Sequence, residues 1–431
     1  MKISLKKYLG GDRVIWVVIL ILSIYSLLSV YSSSGILVFR NPGTSSVHFI
    51  TKHTIFLFAG LMIIYFIHRV PYKYFSKLSQ ILLIIAVPLL VVTLFFGEDI
   101  NRASRWLEIP LLGMSFQPSD FAKLALIMYV ARILSQEQDN IQDFYKAFLP
   151  IIIPVGIVCL LILPENLSTS LILFATCVIL MFTGRIRTKY LVVLFLAGII
   201  TLGSYVTIVV LTEREGRVGT WEKRIESFFD KDTENYQVEQ AKIAIASGGL
   251  FGKFPGNSTQ RNFLPHPYSD FIYAVIIEEY GLLLGGIPIL LLYLILLYRA
   301  GVLLRRSNRA FPAFLAVGLT IGLVLQALIH MAVAVNILPV TGQPLPLISM
   351  GGTSMMFTCI SLGMILSVSR GIDEPVQNEE QEQADERPRQ PQAEGPSRAP
   401  AHDFAPARPS RGSAQRLSRS ISRLQPRRMA L

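Results

Sequence analysis

The chain has 431 residues, 52% of them hydrophobic and only 16% charged, and its mean hydropathy is +0.49. So little polar surface cannot cover a water-soluble globule, and lipid has to act as part of the solvent. The formal charge of +11 resides largely in short loops and in the last stretch, and it speaks of membrane topology rather than of a substrate.

The apolar residues collect into runs close to the ~20 residues that cross a ~30 Å hydrocarbon core as helix. In chain order they predict spans at 14–32, 54–67, 81–96, 121–134, 148–163, 168–182, 190–211, 271–298, 311–335 and 349–368. The expected fold is all-α, a polytopic membrane bundle of about ten transmembrane helices, with the shorter runs tilted or extended into the interface. The first run follows a basic start. It is span-length and no small-x-small site closes it, Ser32-Ser33-Ser34 being the nearest, so it reads as a retained span rather than a cleaved leader.

Basic residues mark the cytoplasmic loops. Lys2, Lys6, Lys7 and Arg13 precede the first span; Arg69, Lys73 and Lys77, then Arg185, Arg187 and Lys189, then Arg299, Arg305, Arg306 and Arg309 fill alternate connections, while 164–167 and 336–348 carry no Lys or Arg. The expectation is a multi-pass protein of the bacterial inner membrane with both termini cytoplasmic and residues 212–269 forming a large periplasmic loop. Cys159, Cys177 and Cys359 fall inside spans without CxxC spacing and read as packing residues.

Two domains follow: a membrane domain over 1–370 and a cytoplasmic tail over 371–431. The tail opens with Asp373, Glu374, Glu379, Glu380, Glu382, Asp385 and Glu386, then turns rich in Pro, Ser, Ala and Arg, a composition that buries no core and predicts disorder. Its Arg-rich end suits anionic membrane lipids or a cytoplasmic division protein, and no motif points to nucleic acid.

In the long loop, acids and bases alternate densely, as on surface helices. A helix over 236–246 breaks into Ser247-Gly248-Gly249-Leu250-Phe251-Gly252. Such glycines either cradle a phosphate or make a plain turn, and the turn is the simpler reading.

Three places near the outer surface carry candidate chemistry, because ionisable groups at membrane helices are costly. The first is Gln117-Pro118-Ser119-Asp120 with Lys123 at i+3, preceded by Arg102 and Arg105-Trp106. It makes a good helix start and interfacial anchor, and equally an acid–base pair beside an arginine suited to a diphosphate. The second is Pro265-His266-Pro267-Tyr268-Ser269-Asp270, an N-cap sequence whose carboxylate can also take a proton from a sugar hydroxyl. The third runs from Asn336 to Ser354 through Pro339, Gly342, Pro344, Pro346, Ser349, Gly351 and Gly352. Such backbone at membrane depth is either a packed turn or a cavity wall.

Together, RASRWLEI, FQPSDFAKL, AIASGGLFGK, LPHPYSDFIYAVIIEEYG and LPVTGQPLPLISMGGTS, in this order, resemble the SEDS family (shape, elongation, division and sporulation), nearer its FtsW branch than its RodA branch. The resemblance spans the chain from the first span to Arg370. It implies a peptidoglycan glycosyltransferase that polymerises lipid II into β-1,4 glycan strands at the periplasmic face during septal synthesis. It also implies undecaprenyl-diphosphate-linked glycan as the second substrate, and partnership with a class B penicillin-binding protein of the FtsI type and other divisome proteins. The family's catalytic carboxylate falls on Asp270. The substrate-binding set is then Arg102, Arg105, Trp106, Gln117, Ser119, Asp120, Lys123, Lys242, Ser247, Gly248, Gly249, Lys253, Gln260, Ser349, Gly351 and Gly352. A divalent cation, Mg or Mn, is the one cofactor to consider. Two departures stand out, His266 and Asp120, where the family usually has Glu. A lipid II flippase, using the same broken spans without bond making, and a non-catalytic scaffold that activates a transpeptidase are the rival readings.

Overall fold

The computed structural model describes residues 10–40, 45–96, 98–99, 104–109, 114–211 and 236–385. Helices dominate: α1 (Arg13–Arg40), α2 (Ser46–Ile67), α3 (Tyr72–Phe96), α4 (Pro118–Gln136), α5 (Leu149–Ile162), α6 (Leu167–Thr183), α7 (Thr188–Leu211), α8 (Tyr236–Gly248), α9 (Ile272–Gly281), α10 (Ile287–Arg306), α11 (Ala310–Ala334) and α12 (Gly352–Asp385). Contacts divide the chain into Met1–Gln381 and Glu382–Leu431. The first unit is the bundle, and of the second only residues 382–385, the end of α12, are described. Helix therefore continues past residue 371, where the sequence reading begins a disordered tail.

Each predicted span has its helix. Among the described residues eight are long and apolar enough to cross a membrane, α9 and α10 counting as one continuous span, Ile272–Arg306. The other two are α4, whose Asp120, Lys123 and Arg132 interrupt the apolar run, and the 17-residue α6. The sequence reading did not foresee a small antiparallel sheet between α3 and α4. Strands β1 (Glu98–Asp99), β2 (Ser104–Ile109) and β3 (Met114–Phe116) are ordered β1-β2-β3, with Leu107 opposite Phe116.

Helix α11 is the hub. Its most apolar stretch is 78% buried, against 6% for α7; α11 packs on α4, α6 and α10, while α7 turns Val192, Val193, Phe195 and Ile199 outward. A predominantly apolar helix enclosed by neighbours and a peripheral one facing lipid are two forms a hydrophobic helix takes. One end of the bundle is tied where Asp12 pairs with Arg299 and its N–H donates to Ser369 Oγ at 2.7 Å. At the other, Arg261 Nη1 donates to Ser32 O at 2.9 Å.

The expected helix–glycine turn is present, and its role is packing. Gly248 lies against the Ile277 carbonyl, and a Cβ there would overlap it. Gly252, at φ +78°, sits against Glu279 O, and Gly281, at φ +75°, against Leu250 O. Only glycine permits both the close approach and the left-handed backbone. The turn then reshapes the span. Leu282 and Leu283 donate their N–H groups to Gly249 O at 2.9 Å and Leu250 O at 3.1 Å, and the helix passes through a π-turn at Leu282–Gly286.

Gly252→Ala is expected to lower the melting temperature of the full chain in detergent, because a left-handed L-residue costs about 1–2 kcal/mol and its Cβ also strikes backbone. Gly249→Ala, at φ +55° with open space around it, carries only the conformational cost. Equal shifts for the two variants would refute the packing role.

Candidate functional site

The three places singled out by sequence are joined through the irregular segment between α11 and α12. Pro267 is buried and Tyr268, Ser269 and Asp270 half-buried, immediately before α9. Met350 N–H donates to Tyr268 O at 2.9 Å and Ser349 Oγ to Ser269 O at 2.9 Å, while Ser349 Oγ also accepts from Leu345 N–H at 2.8 Å. Gly342, at φ +65°, meets Asp270 from the opposite side; a Cβ there would stand 3.7 Å from Asp270 Oδ2. The proline- and glycine-rich segment thus wraps the carboxylate, as irregular backbone at this depth must be wrapped by protein.

Asp270 Oδ1 accepts a hydrogen bond from Ser269 Oγ at 2.8 Å, and the Asp270 N–H donates to His266 O at 3.2 Å. Among the described residues no Lys or Arg pairs with Asp270. A half-buried carboxylate held by a hydroxyl, without a counter-charge, remains able to accept a proton. His266 stands off at 3.4 Å from Tyr268 OH.

The α4 pair comes to the same segment by one intermediate. Lys123 Nζ lies 2.7 Å from Asp120 Oδ1 and 3.5 Å from Gln326 Oε1; Gln326 Nε2 in turn donates to Pro344 O at 2.8 Å. Asp120 Oδ2 is buried without a hydrogen-bond partner. The pair opens on a cavity of about 50 Å³ whose wall includes Gln326, Ser354, Thr358 and Ser361. Gln117 Nε2 donates to the buried Ser119 at 2.9 Å, ordering the start of α4.

Sequence reasoning missed the residues that weld this arrangement. Gln326 and His330, four apart on α11, share a face. His330 Nδ1 lies 2.7 Å from Gln343 O; a carbonyl only accepts, so Nδ1 carries the proton. Nε2 is left with a lone pair and is buried without a partner, in a ring that feels the Asp270 charge. Gln343 Nε2 donates to Thr169 Oγ1 at 2.9 Å and Asn166 Oδ1 at 3.3 Å, anchoring the segment to α6. Polar residues in otherwise apolar spans were the available signal.

The glycine-turn candidates behave otherwise. Lys253 Nζ lies 2.8 Å from the fully buried Glu278. That carboxylate also accepts from Thr259 N–H at 3.1 Å, Thr259 Oγ1 at 2.9 Å, Gln260 N–H at 3.2 Å, Ser247 Oγ at 3.4 Å and Ser258 Oγ. The Lys253 side chain and the Gln260 N–H therefore pin the loop onto α9, a buried acid requiring just such partners; the Gln260 Oε1 is buried without a partner, Ser247 Oγ donates at shorter range to Ala244 O at 3.0 Å, and Gly248 is buried in packing. These contacts give Lys253 and Gly248, which the sequence reading assigned to substrate binding, a structural role. Lys242 and Gly249 are exposed, Gly351 half-buried and Gly352 exposed. Arg105 and Trp106 lie on β2, where the backbone alone is described; Arg102 lies outside the described residues. Among the described residues no three His, Cys, Asp or Glu side chains gather as a metal set.

Comparison with known proteins gives a consistent picture. Residues 12–373 match the model of the FtsW/RodA/SpoVE family, described as cell cycle protein. The chain is 33% identical over 367 residues to a probable peptidoglycan glycosyltransferase FtsW of Coxiella burnetii, covering 82% of this chain and 95% of that one. It is 33% identical over 370 residues to the stage V sporulation protein E of Bacillus subtilis, covering 84% and 98%. In fold it is similar to a chain of a peptidoglycan synthase complex that coordinates polymerization and crosslinking (TM-score 0.66, 22% identity, 85% and 99% covered) and to the rod shape determining protein RodA of Thermus thermophilus (TM-score 0.61, 23% identity, 84% and 98% covered).

Lys253→Met is expected to destabilise the full chain, toward the low end of the ~3–5 kcal/mol for breaking a buried pair because Lys253 is itself 31% exposed. Adding Glu278→Gln should recover part of the loss in a thermal-melt series. A Lys253 variant that melts normally yet binds substrate poorly would restore the substrate-binding reading.

Proposed function

The chain belongs to the FtsW/RodA/SpoVE family, and from that premise we propose that it is a peptidoglycan glycosyltransferase of the inner membrane in which Asp270 is the general base. The carrying observation is the setting of Asp270: half-buried, hydrogen-bonded by Ser269 Oγ at 2.8 Å, free of any ion pair among the described residues, and enclosed by the segment around Gly342.

A carboxylate oxygen of Asp270 takes the proton from the acceptor sugar hydroxyl as that oxygen attacks the anomeric carbon of a lipid-linked donor. The C–O bond to the diphosphate breaks as the new glycosidic bond forms, and in-line displacement at an α-linked carbon yields the β-1,4 linkage of a lipid II polymer. General-base assistance of this kind contributes typically 10²–10⁴-fold. Negative charge grows on the departing diphosphate, which Lys123, and Arg105 from β2, would offset. Lys123 Nζ is positioned by Asp120 Oδ1 at 2.7 Å. The protein supplies no cluster of ligands for a cation among the described residues, so a Mg or Mn ion would be held chiefly by the substrate's own phosphates, and no step is assigned to it.

The basic ends of the helices support a cytoplasmic location for both termini, which puts Asp270 at the periplasmic side. A class B penicillin-binding protein of the FtsI type is the expected partner, and the likeness to a chain of a synthase complex supports that reading.

In detergent, where there is no sidedness to cross, purified protein should form glycan chains from lipid II, and Asp270→Asn should slow this by about a hundredfold or more. Normal polymerisation by Asp270→Asn would sink the mechanism. No polymerisation by the wild type, alone or with its partner, would favour a transporter or scaffold.

A further inference from the structure

A second cavity lies at the opposite end of the bundle, the end that the basic loops assign to the cytoplasm. Its volume is about 700 Å³, and Arg69, Lys73, Lys77, Arg309 and Arg370 line it with no acid among the lining residues. These cations come from four elements: the α2–α3 corner, α3, the N-cap of α11, and α12. Convergence from separate helices is not required by topology, which asks only that basic residues be on this side.

The walls are fixed. Ser367 Oγ donates to Val70 O at 2.5 Å, locking α12 to the corner. Gly371 lies flat against Tyr72, where a Cβ would stand 2.6 Å from the ring. The Arg69 guanidinium is stacked 4.3 Å from the centroid of Tyr65, which holds the head group in place while leaving its positive charge intact.

We infer that this cleft binds the phosphate headgroup of an anionic phospholipid from the inner leaflet. Basic pockets between spanning helices on the cytoplasmic side recognise such headgroups. A lipid source is favoured over a soluble phosphate because the cleft is edged by Tyr72 and Tyr74, an interfacial type of side chain. Beside it, Phe66, Leu78 and Ile81 turn outward from α2 and α3, at 64%, 42% and 55% exposure, as a bed for acyl chains. The volume exceeds that of a lone phosphate and suits a glycerophosphate with its attached glycerol.

The test is native mass spectrometry of the full chain exchanged between phosphatidylglycerol and phosphatidylcholine. Wild type should retain phosphatidylglycerol preferentially, and the loss of each cation should weaken retention about fivefold. Arg69→Gln, Lys73→Gln and Arg309→Gln combined should therefore cost on the order of a hundredfold. A control with Arg185→Gln, Arg187→Gln and Lys189→Gln, in another basic loop, should retain lipid normally; an equal loss in the control would overturn the site. Millimolar inorganic phosphate displacing the lipid completely would reassign the cleft to a soluble anion. Should the triple variant fail to fold, photoactivatable phosphatidylglycerol on the unaltered protein decides. Crosslinks concentrated in 66–78 and 367–371 uphold the inference, and crosslinks spread evenly over the basic loops refute it.

Discussion

Inside a bilayer there is no water to satisfy a stray N–H or C=O, so every break in a helix has to be answered by another part of the protein. The bundle makes its breaks in matched places. The π-turn after Gly281 turns two N–H groups to the carbonyls of the Gly249–Leu250 turn, and three glycines allow the backbones to come close enough for those bonds. The irregular segment after α11 is answered in the same way, by Gln326 and His330 from α11, by Thr169 from α6 and by Tyr268 and Ser269 beside Asp270.

The same constraint sorts the acids. Asp12 is matched by Arg299 and Glu278 by Lys253, closing charges that would otherwise be intolerable in the interior. Asp120 is matched on one oxygen only, and among the described residues Asp270 has a hydroxyl and no cation. Asp12 and Glu278 are thus paired with cations and the candidate catalytic acid is not, while the buried Glu279 keeps one oxygen without a partner. That contrast gives the FtsW/RodA/SpoVE membership a physical counterpart at a specific residue.

The opposite face follows different rules. Water and headgroups are available there, and basic residues from four elements shape a cleft around a fixed corner. The two ends of one bundle therefore present unlike chemistry: a carboxylate without a cation at one, cations in surplus at the other.

Length, apolar runs and basic loops were enough to determine from sequence that this is a helical membrane protein, where its spans lie and which ends carry charge, because bilayer thickness and helix rise leave few alternatives. The prominence of Asp270 and of the Asp120–Lys123 pair was also legible, since charge at a span is costly wherever it occurs. The strands of β2 and β3, short and masked by a motif read for its arginines, were not. Nor was the assignment of Lys253: its charge is visible in sequence, but its partner Glu278 lies 25 residues away and was screened by an apolar helix pattern. Only tertiary structure decides which polar groups are already spent on one another. Pairing across distant segments is set by packing, and packing is what determines that Lys253 holds a loop while Asp270, among the described residues, is left without a cation.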